Sequence, residues 1–463
     1  MMSKKIGIRI VAILCCLIMG ISVFSGFAAA ETSNQKGEVK RTGYYNWCLV
    51  YDEKGNVEGA KIINYGAKVD GDENPIEEFK TPTHVIFPET IEGYPVVEID
   101  SLVFDLGFNY FAVETVTIPQ YVKRLDAGNW PHGVGTFIVD EKNEYYSAQD
   151  GVLYNKDKTE LLVYPKKCKE DFAIPESVKK IGPNAFWYTD VKNVTFPKAL
   201  EEIGAQAFYC CKKMQNVQLH GAVKIGEKAF YETNIKNITI PENSVVSGDA
   251  FMYCRKLKKI TMEKGAKWEG DIQLCETKIT SFEIQKGTAE IPANAFYNCK
   301  KLKTVTIPRS VHAIHARAFK GCKNLKKINY QGSRSFWRSI AIANWSNICL
   351  NYIDIHTKTS VIKKQKVKLT KKLHMKIAEK RVSDKKGLNA HVEWSTYKRA
   401  DGYQVKVFSG KSKKVKKFTD ENYPVGDIYG LKKNKNYKVK VRYYITIAGK
   451  TYYSKWSKAK KLA

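Results

Sequence analysis

The chain has 463 residues, 43% of them apolar and 27% charged, with a formal net charge of +30. That length exceeds one ordinary domain, and the apolar share excludes a disordered chain. Of the eleven cysteines, an odd number stays after the N-terminal segment is set aside, which excludes a fully paired disulfide scaffold.

Lys4, Lys5 and Arg9 precede an apolar run from Ile10 to Phe27 that ends in Ala28-Ala29-Ala30 before Glu31. A basic start, an apolar centre and a small-residue cleavage site predict a secretory signal over residues 1–30. An uncleaved anchor is the alternative, since the run is about long enough to span a bilayer. Cleavage removes Cys15 and Cys16, and the other nine cysteines are expected to act as small buried apolar groups. No second long apolar run follows, so no membrane span is expected after cleavage. Residues 31–84 are expected to form a strand-rich cap.

A repeat then begins. Ala-Phe pairs recur at Ala185-Phe186, Ala207-Phe208, Ala229-Phe230, Ala250-Phe251, Ala295-Phe296 and Ala318-Phe319, a period of roughly 22 residues. Val103-Phe104 marks an earlier copy, and Asp271-Ile272 is read as the worn Ala-Phe pair in the double gap after Phe251. The closing part of each unit, as in Leu302, Val305 and Ile307, has the spacing of leucine-rich repeats. Strand alternation points Val305 and Ile307 inward only if Thr304 and Thr306 point out. The prediction is a solenoid over residues 85–357, with a short strand and a helical Ala-Phe turn per coil. Cys211, Cys254, Cys299 and Cys322 sit three residues after Phe, with Cys275 at the matching place of the worn copy and Thr189 and Thr233 in sister copies. A packed column of thiols is expected there, in preference to a metal or redox role.

These repeats resemble BspA-like leucine-rich-repeat surface proteins. The likeness is carried by the I-G-x-x-A-F-x-x-C core, by the run Pro88 to Ile99, and by residues 137–165, which look like the hairpin such proteins insert between repeats. The Asp150-Gly151 step supports a turn there on its own. The resemblance implies extracellular attachment to host proteins, other cells or matrix, without catalysis. Asp100 stands where glycine is usual, and the copy near Leu125 breaks off at Trp130-Pro131; both are candidate distortions.

Composition shifts after about Ser360. Residues 361–463 hold 30 Lys and Arg against 7 Asp and Glu, and period-two runs mark an antiparallel all-β unit over 358–463. Trp394, the Gly430-Leu431 step before Tyr437, and Tyr453-Ser-Lys-Trp456-Ser resemble a fibronectin type III sandwich of the immunoglobulin-like class. The resemblance makes Tyr437 a corner tyrosine tied to backbone near Leu431. Most of the net charge belongs to this small unit, which gives it an electrostatic address. Lys411, Lys413, Lys414, Lys416, Lys417, Lys432, Lys433 and Lys435 are the candidate polyanion contacts, with an anionic cell-wall polymer among the possible ligands. A solvated lysine-rich surface without a ligand is the alternative.

No paired acids, nucleophile-base set, phosphate loop or metal spacing stands out, so neither an enzyme nor a cofactor is expected. His312 and His315 stand three apart and are read as a surface pair. The outward strand positions form the candidate face for an extracellular protein or cell-surface ligand: Thr195, Asn216, Gln218, Asn237, Thr239, Lys259, Thr261, Thr304, Thr306 and Lys327. A face almost without aromatic rings suits a protein better than a sugar; threonine also simply suits an exposed strand. The function expected is a secreted or surface-held adhesion or scaffold protein. The alternative is a nonspecific extracellular polyanion or DNA binder in which the solenoid is a spacer; specific nucleic-acid recognition is not expected, because no recognition-helix or RNA-module pattern appears.

Overall fold

The structure is a computed structural model that describes residues 39–65, 83–100, 113–125, 134–166, 168–343, 346–365, 373, 375–383, 387–397, 400–419, 424–432 and 435–462. The signal segment, Val103-Phe104 and Trp130-Pro131 lie outside them. Among the described residues no helix is long and apolar enough to cross a membrane.

A solenoid of about nine turns occupies most of the chain. On its first side, parallel strands stack coil on coil: Asn237–Ile240 pairs with Lys259–Met262, and Thr304–Ile307 lies between Ser281–Glu283 and Lys327–Tyr330. Alternation decides which side chains enter the core. Val305, Ile307 and Ile328 are buried, while the residues between them face out.

The second side is also a parallel sheet, built on the Ile-Gly pairs that the sequence shows only as part of a motif. Lys180–Ile181, Glu202–Ile203 and Lys224–Ile225 pair in register, and Glu160–Val163 and Val245–Ser247 extend the stack. Glycine follows these strands because the coils touch there. A Cβ at Gly204 would stand 2.7 Å from the Pro183 nitrogen, and one at Gly226 2.7 Å from the Ala205 nitrogen.

The third side corrects the expected helical turn. Phe186 N–H donates to the Ala207 carbonyl of the next coil at 2.7 Å, Phe208 to Ala229 at 2.7 Å, and Phe296 to Ala318 at 2.8 Å. Left-handed residues stand on both sides of Phe186, Phe208, Phe230 and Phe296, as at Asn184 and Tyr188 or Gln206 and Cys210, and on the far side of Phe251 at Tyr253. A left-handed residue every fourth position cannot continue a right-handed helix, so the N–H groups turn along the stack and bond the neighbouring coil. Phe186, Phe208, Phe230 and Phe251 then stack, with centroids 4.6 to 5.5 Å apart.

The worn coil needs a second correction. Leu274, not Ile272, takes the Phe place: its N–H donates to the Ala295 carbonyl at 2.7 Å. The residue three positions later is Thr277, so Cys275 lies outside the thiol column. Both strand stacks are interrupted at this coil, between Lys259–Met262 and Ser281–Glu283 and between Lys267–Glu269 and Glu290–Ile291. Trp268 fills the gap, 6.3 Å from Phe251 and 6.0 Å from Phe282 between ring centroids.

Ahead of the repeats, Tyr45–Tyr51 pairs with Lys40–Thr42 and Val57–Tyr65, and the latter joins Tyr94–Ile99 in parallel. The inserted hairpin pairs Tyr146–Gln149 with Val152–Asn155. Its two turn residues, Asp150 and Gly151, have φ of 52° and 80°, as a tight two-residue hairpin requires.

The C-terminal unit packs a sheet of Met375–Ser383, Gly387–Trp394 and Val425–Tyr429 against a sheet of Ser412–Phe418, Gly402–Ser409, Lys438–Ile447, Lys450–Tyr453 and Lys460–Lys461. Trp394 is fully buried between them against Tyr403 and Phe418. This sandwich touches the solenoid at one corner. Gly449 N–H donates to the Lys323 carbonyl at 2.6 Å, and Lys323 Nζ lies 3.7 Å from Asp401.

Candidate functional site

The outward positions of the first side form two blocks. Asn237 pairs with Lys259 and Thr239 with Thr261. Thr304 lies between Ser281 and Lys327, and Thr306 between Glu283 and Asn329. Asn216 bridges to Asn193, on the strand that ends at Thr195; Gln218 follows two residues on. Thr195, Asn216, Gln218, Asn237, Thr239 and Lys259 are exposed, while Thr261, Thr304, Thr306 and Lys327 are half-buried. The interruption at the worn coil means that no strand pairing joins the two blocks. Each block presents hydroxyl, amide and amine groups about 4.8 Å apart along the solenoid. Such rows offer hydrogen bonds to a partner's polar atoms.

Behind this face lies the thiol column. Cys211, Cys254, Cys299 and Cys322 are buried, and each Sγ donates to the ring-position carbonyl of the preceding coil: Phe186, Phe230, Leu274 and Phe296, at 2.9 to 3.0 Å. Thr189, Thr233 and Thr277 occupy the same slot in alternate coils, and their hydroxyls donate to the same three first-named carbonyls at 2.8 to 2.9 Å. Burial pushes the Cys211, Cys254 and Cys299 thiols up to about 12. At neutral pH they are thiols rather than thiolates, which makes them donors and poor nucleophiles.

His312 and His315 stand on the second side and share one carboxylate. Glu290 lies 2.6 Å from His315 Nε2 and 3.4 Å from His312 Nε2, and the His315 hydrogen bond holds its carboxyl below the usual range. All three are exposed. Among the described residues no group of three His, Cys, Asp or Glu is arranged to hold a metal ion.

The lysine run of the sandwich divides, because a strand turns alternate residues to opposite faces. Lys413 and Lys417 pair with Phe408 and Gln404 on the outer face. Lys414 Nζ turns the other way and donates to the Tyr429 and Gly430 carbonyls at 3.0 and 2.8 Å, and Lys416 to the Asp427 carbonyl at 3.1 Å. Those two ammoniums saturate carbonyls at the free edge of the Val425–Tyr429 strand. Lys411 is exposed in the preceding turn, and Lys432 and Lys435 are exposed before Tyr437; Lys433 lies outside the described residues. Charge counting along the sequence missed Lys406, Lys440 and Arg442, which no run of lysines marks. Strand alternation from Tyr403 and Val439 points to them.

The model of the BspA type leucine rich repeat region matches this chain in six copies, over residues 163–268, 223–349 and 269–380. No curated protein matches it. Among solved structures, a leucine-rich repeat protein from Eubacterium ventriosum is 22% identical, covering 51% of this chain and 60% of that one, with a TM-score of 0.28. A leucine rich cell surface protein from Faecalibacterium prausnitzii is 16% identical, covering 66% and 98%, with a TM-score of 0.31. The pneumococcal vaccine antigen PcpA is 15% identical, covering 70% and 99%, with a TM-score of 0.33. Residues 163–380 of this chain therefore carry BspA-type leucine-rich repeats.

Proposed function

We propose that the protein is a secreted or surface-held, non-enzymatic binding protein. The solenoid's first side recognises a protein partner, and the basic sandwich attaches to an anionic surface. The observation that carries this reading is the in-register polar face on BspA-type repeats, with Thr239 beside Thr261 and Thr306 between Glu283 and Asn329. A rigid stack holds such rows in place before any partner arrives, which lowers the ordering cost of binding. The near-absence of rings favours a protein over a sugar.

The sandwich is read as fibronectin type III-like. Its division into sheets of three and five strands supports this, as does the Tyr437 hydroxyl, which accepts the Lys432 N–H at 3.0 Å in the manner of a tyrosine corner.

Attachment of the full-length protein to immobilised matrix proteins and to intact cells tests the recognition half. Replacing Thr239, Lys259 and Thr261 together with glutamate is expected to weaken attachment at least about tenfold, the worth of roughly 1.4 kcal/mol. Undiminished attachment by a folded triple variant rules out this face. In that case the solenoid is a spacer for a polyanion binder.

A further inference from the structure

We propose that the outer face of the sandwich's five-stranded sheet binds linear polymers of tetrahedral oxyanion esters, phosphodiester or sulfate. The proposal rests on the attachment role given above to the basic domain and places that role on one sheet.

Tyr403, Val405 and Val407 fill the core, so Gln404, Lys406 and Phe408 face outward. The ladder then sets Lys413 and Lys438 beside Phe408, Lys440 beside Lys406, and Lys417 and Arg442 beside Gln404. Six cations thus share one face, about 7 Å apart along a strand and about 5 Å apart across strands. The described ion pairs of the sandwich lie elsewhere: Asp401 meets Lys323, and Glu393 and Asp427 meet His391 on the opposite sheet. None of the six cations takes part in them, so the charge of this sheet is uncompensated by described carboxylates.

Three of these cations are also held against rings. Lys406 Nζ stands 5.3 Å from the Phe408 ring centroid and Lys417 Nζ 4.2 Å from that of Tyr444. The Arg442 guanidinium lies 4.0 Å from the Tyr453 ring and 4.4 Å from the Trp456 ring. A side chain already ordered loses less entropy when a ligand arrives. Arg442 spends its fork on Gln404, with Nε and Nη2 donating to Oε1 at 2.9 and 2.7 Å. What the face offers is therefore a set of ammonium point charges, the form in which lysine binds phosphate groups. Rings committed to cations leave little platform for nucleobases, so single-stranded nucleic acid is not the favoured polymer.

The test measures binding of poly(glycerol phosphate) and of dextran sulfate by the full-length protein across a salt series. Two variants remove equal charge: Lys406→Gln with Lys413→Gln and Lys440→Gln on the face, and Lys432→Gln with Lys435→Gln and Lys376→Gln away from it, Lys376 being exposed on the opposite sheet. Thermal melting checks that both are folded. The face variant is expected to flatten the slope of log affinity against log salt by about 2, from roughly 0.7 per lost contact, and the other variant by less than about 0.5. Comparing the two polymers tells phosphodiester from sulfate. Equal losses in both variants, with a wild type that binds, overturn the placement on this sheet and leave attachment by net charge. A wild type that binds neither polymer overturns the placement and the attachment role together.

Discussion

The solenoid and the sandwich treat charge in opposite ways. In the solenoid, a cation meets acids from neighbouring coils: Lys213 reaches Glu170 and Asp190 at 2.6 and 3.6 Å, and Arg255 reaches Glu232 and Glu276 at 3.0 and 2.8 Å. In the sandwich, cations rest on rings and on backbone carbonyls, as Lys417 does on Tyr444 and Lys414 on Tyr429 and Gly430. The difference follows from architecture and composition together. Stacked coils bring residues about one period apart into contact, so opposite charges at equivalent positions pair at once. The sandwich has 7 acids for 30 cations and must hold its excess by other means. In the proposed function, the balanced solenoid supplies specificity through its shape and polar rows, and the unbalanced sheet supplies a salt-sensitive hold on a polyanion.

This contrast breaks first if the solenoid is not one cooperative stack. Phe208 is fully buried and stacks on Phe186 and Phe230. Phe208→Ala is expected to cost about 3–5 kcal/mol and to loosen the coils on both sides in hydrogen exchange, with the sandwich amides unchanged. Protection lost equally in the sandwich shows instead that the Lys323–Gly449 corner couples the two units into one.

A smaller effect sharpens the picture at the other end of the stack. The Arg124 hydrogen bond, helped by Lys123, holds the Glu58 carboxyl below its usual range against the desolvation that raises it. A carboxyl depressed in the folded state stabilises it above the unfolded value, and that share is lost as pH falls through the folded value. Melting of this region on acidification, followed by fluorescence of the buried Trp47, is expected to be shallower in Glu58→Gln. An unchanged acid transition assigns the acid sensitivity to other groups.

Much of the solenoid is legible in the sequence, because the Ala-Phe spacing and the alternating strands repeat. The Ile-Gly strands are not, since Lys180–Ile181, Glu202–Ile203 and Lys224–Ile225 have only two residues each and pair only with the coils on either side. The worn coil illustrates a recoverable error. Val191 follows Phe186 by five residues and Ile235 follows Phe230 by five, so counting back from Ile279 leads to Leu274 rather than Ile272. Coils with threonine in the thiol slot use this five-residue spacing. Those with cysteine use six, as from Phe208 to Met214 or Phe296 to Leu302. The candidate polar face is readable because alternation alone specifies it. The basic face is not, because a run of lysines says how much charge is present while strand pairing decides where it points.

Sedimentation of the full-length protein with purified bacterial cell walls, across a salt series and before and after removal of the anionic polymers, tests the attachment claim most directly. Pelleting at low salt that disappears both with rising salt and with polymer removal is the predicted result. Protein that stays in the supernatant at every salt concentration contradicts it and makes the lysines of the sandwich a solubility device.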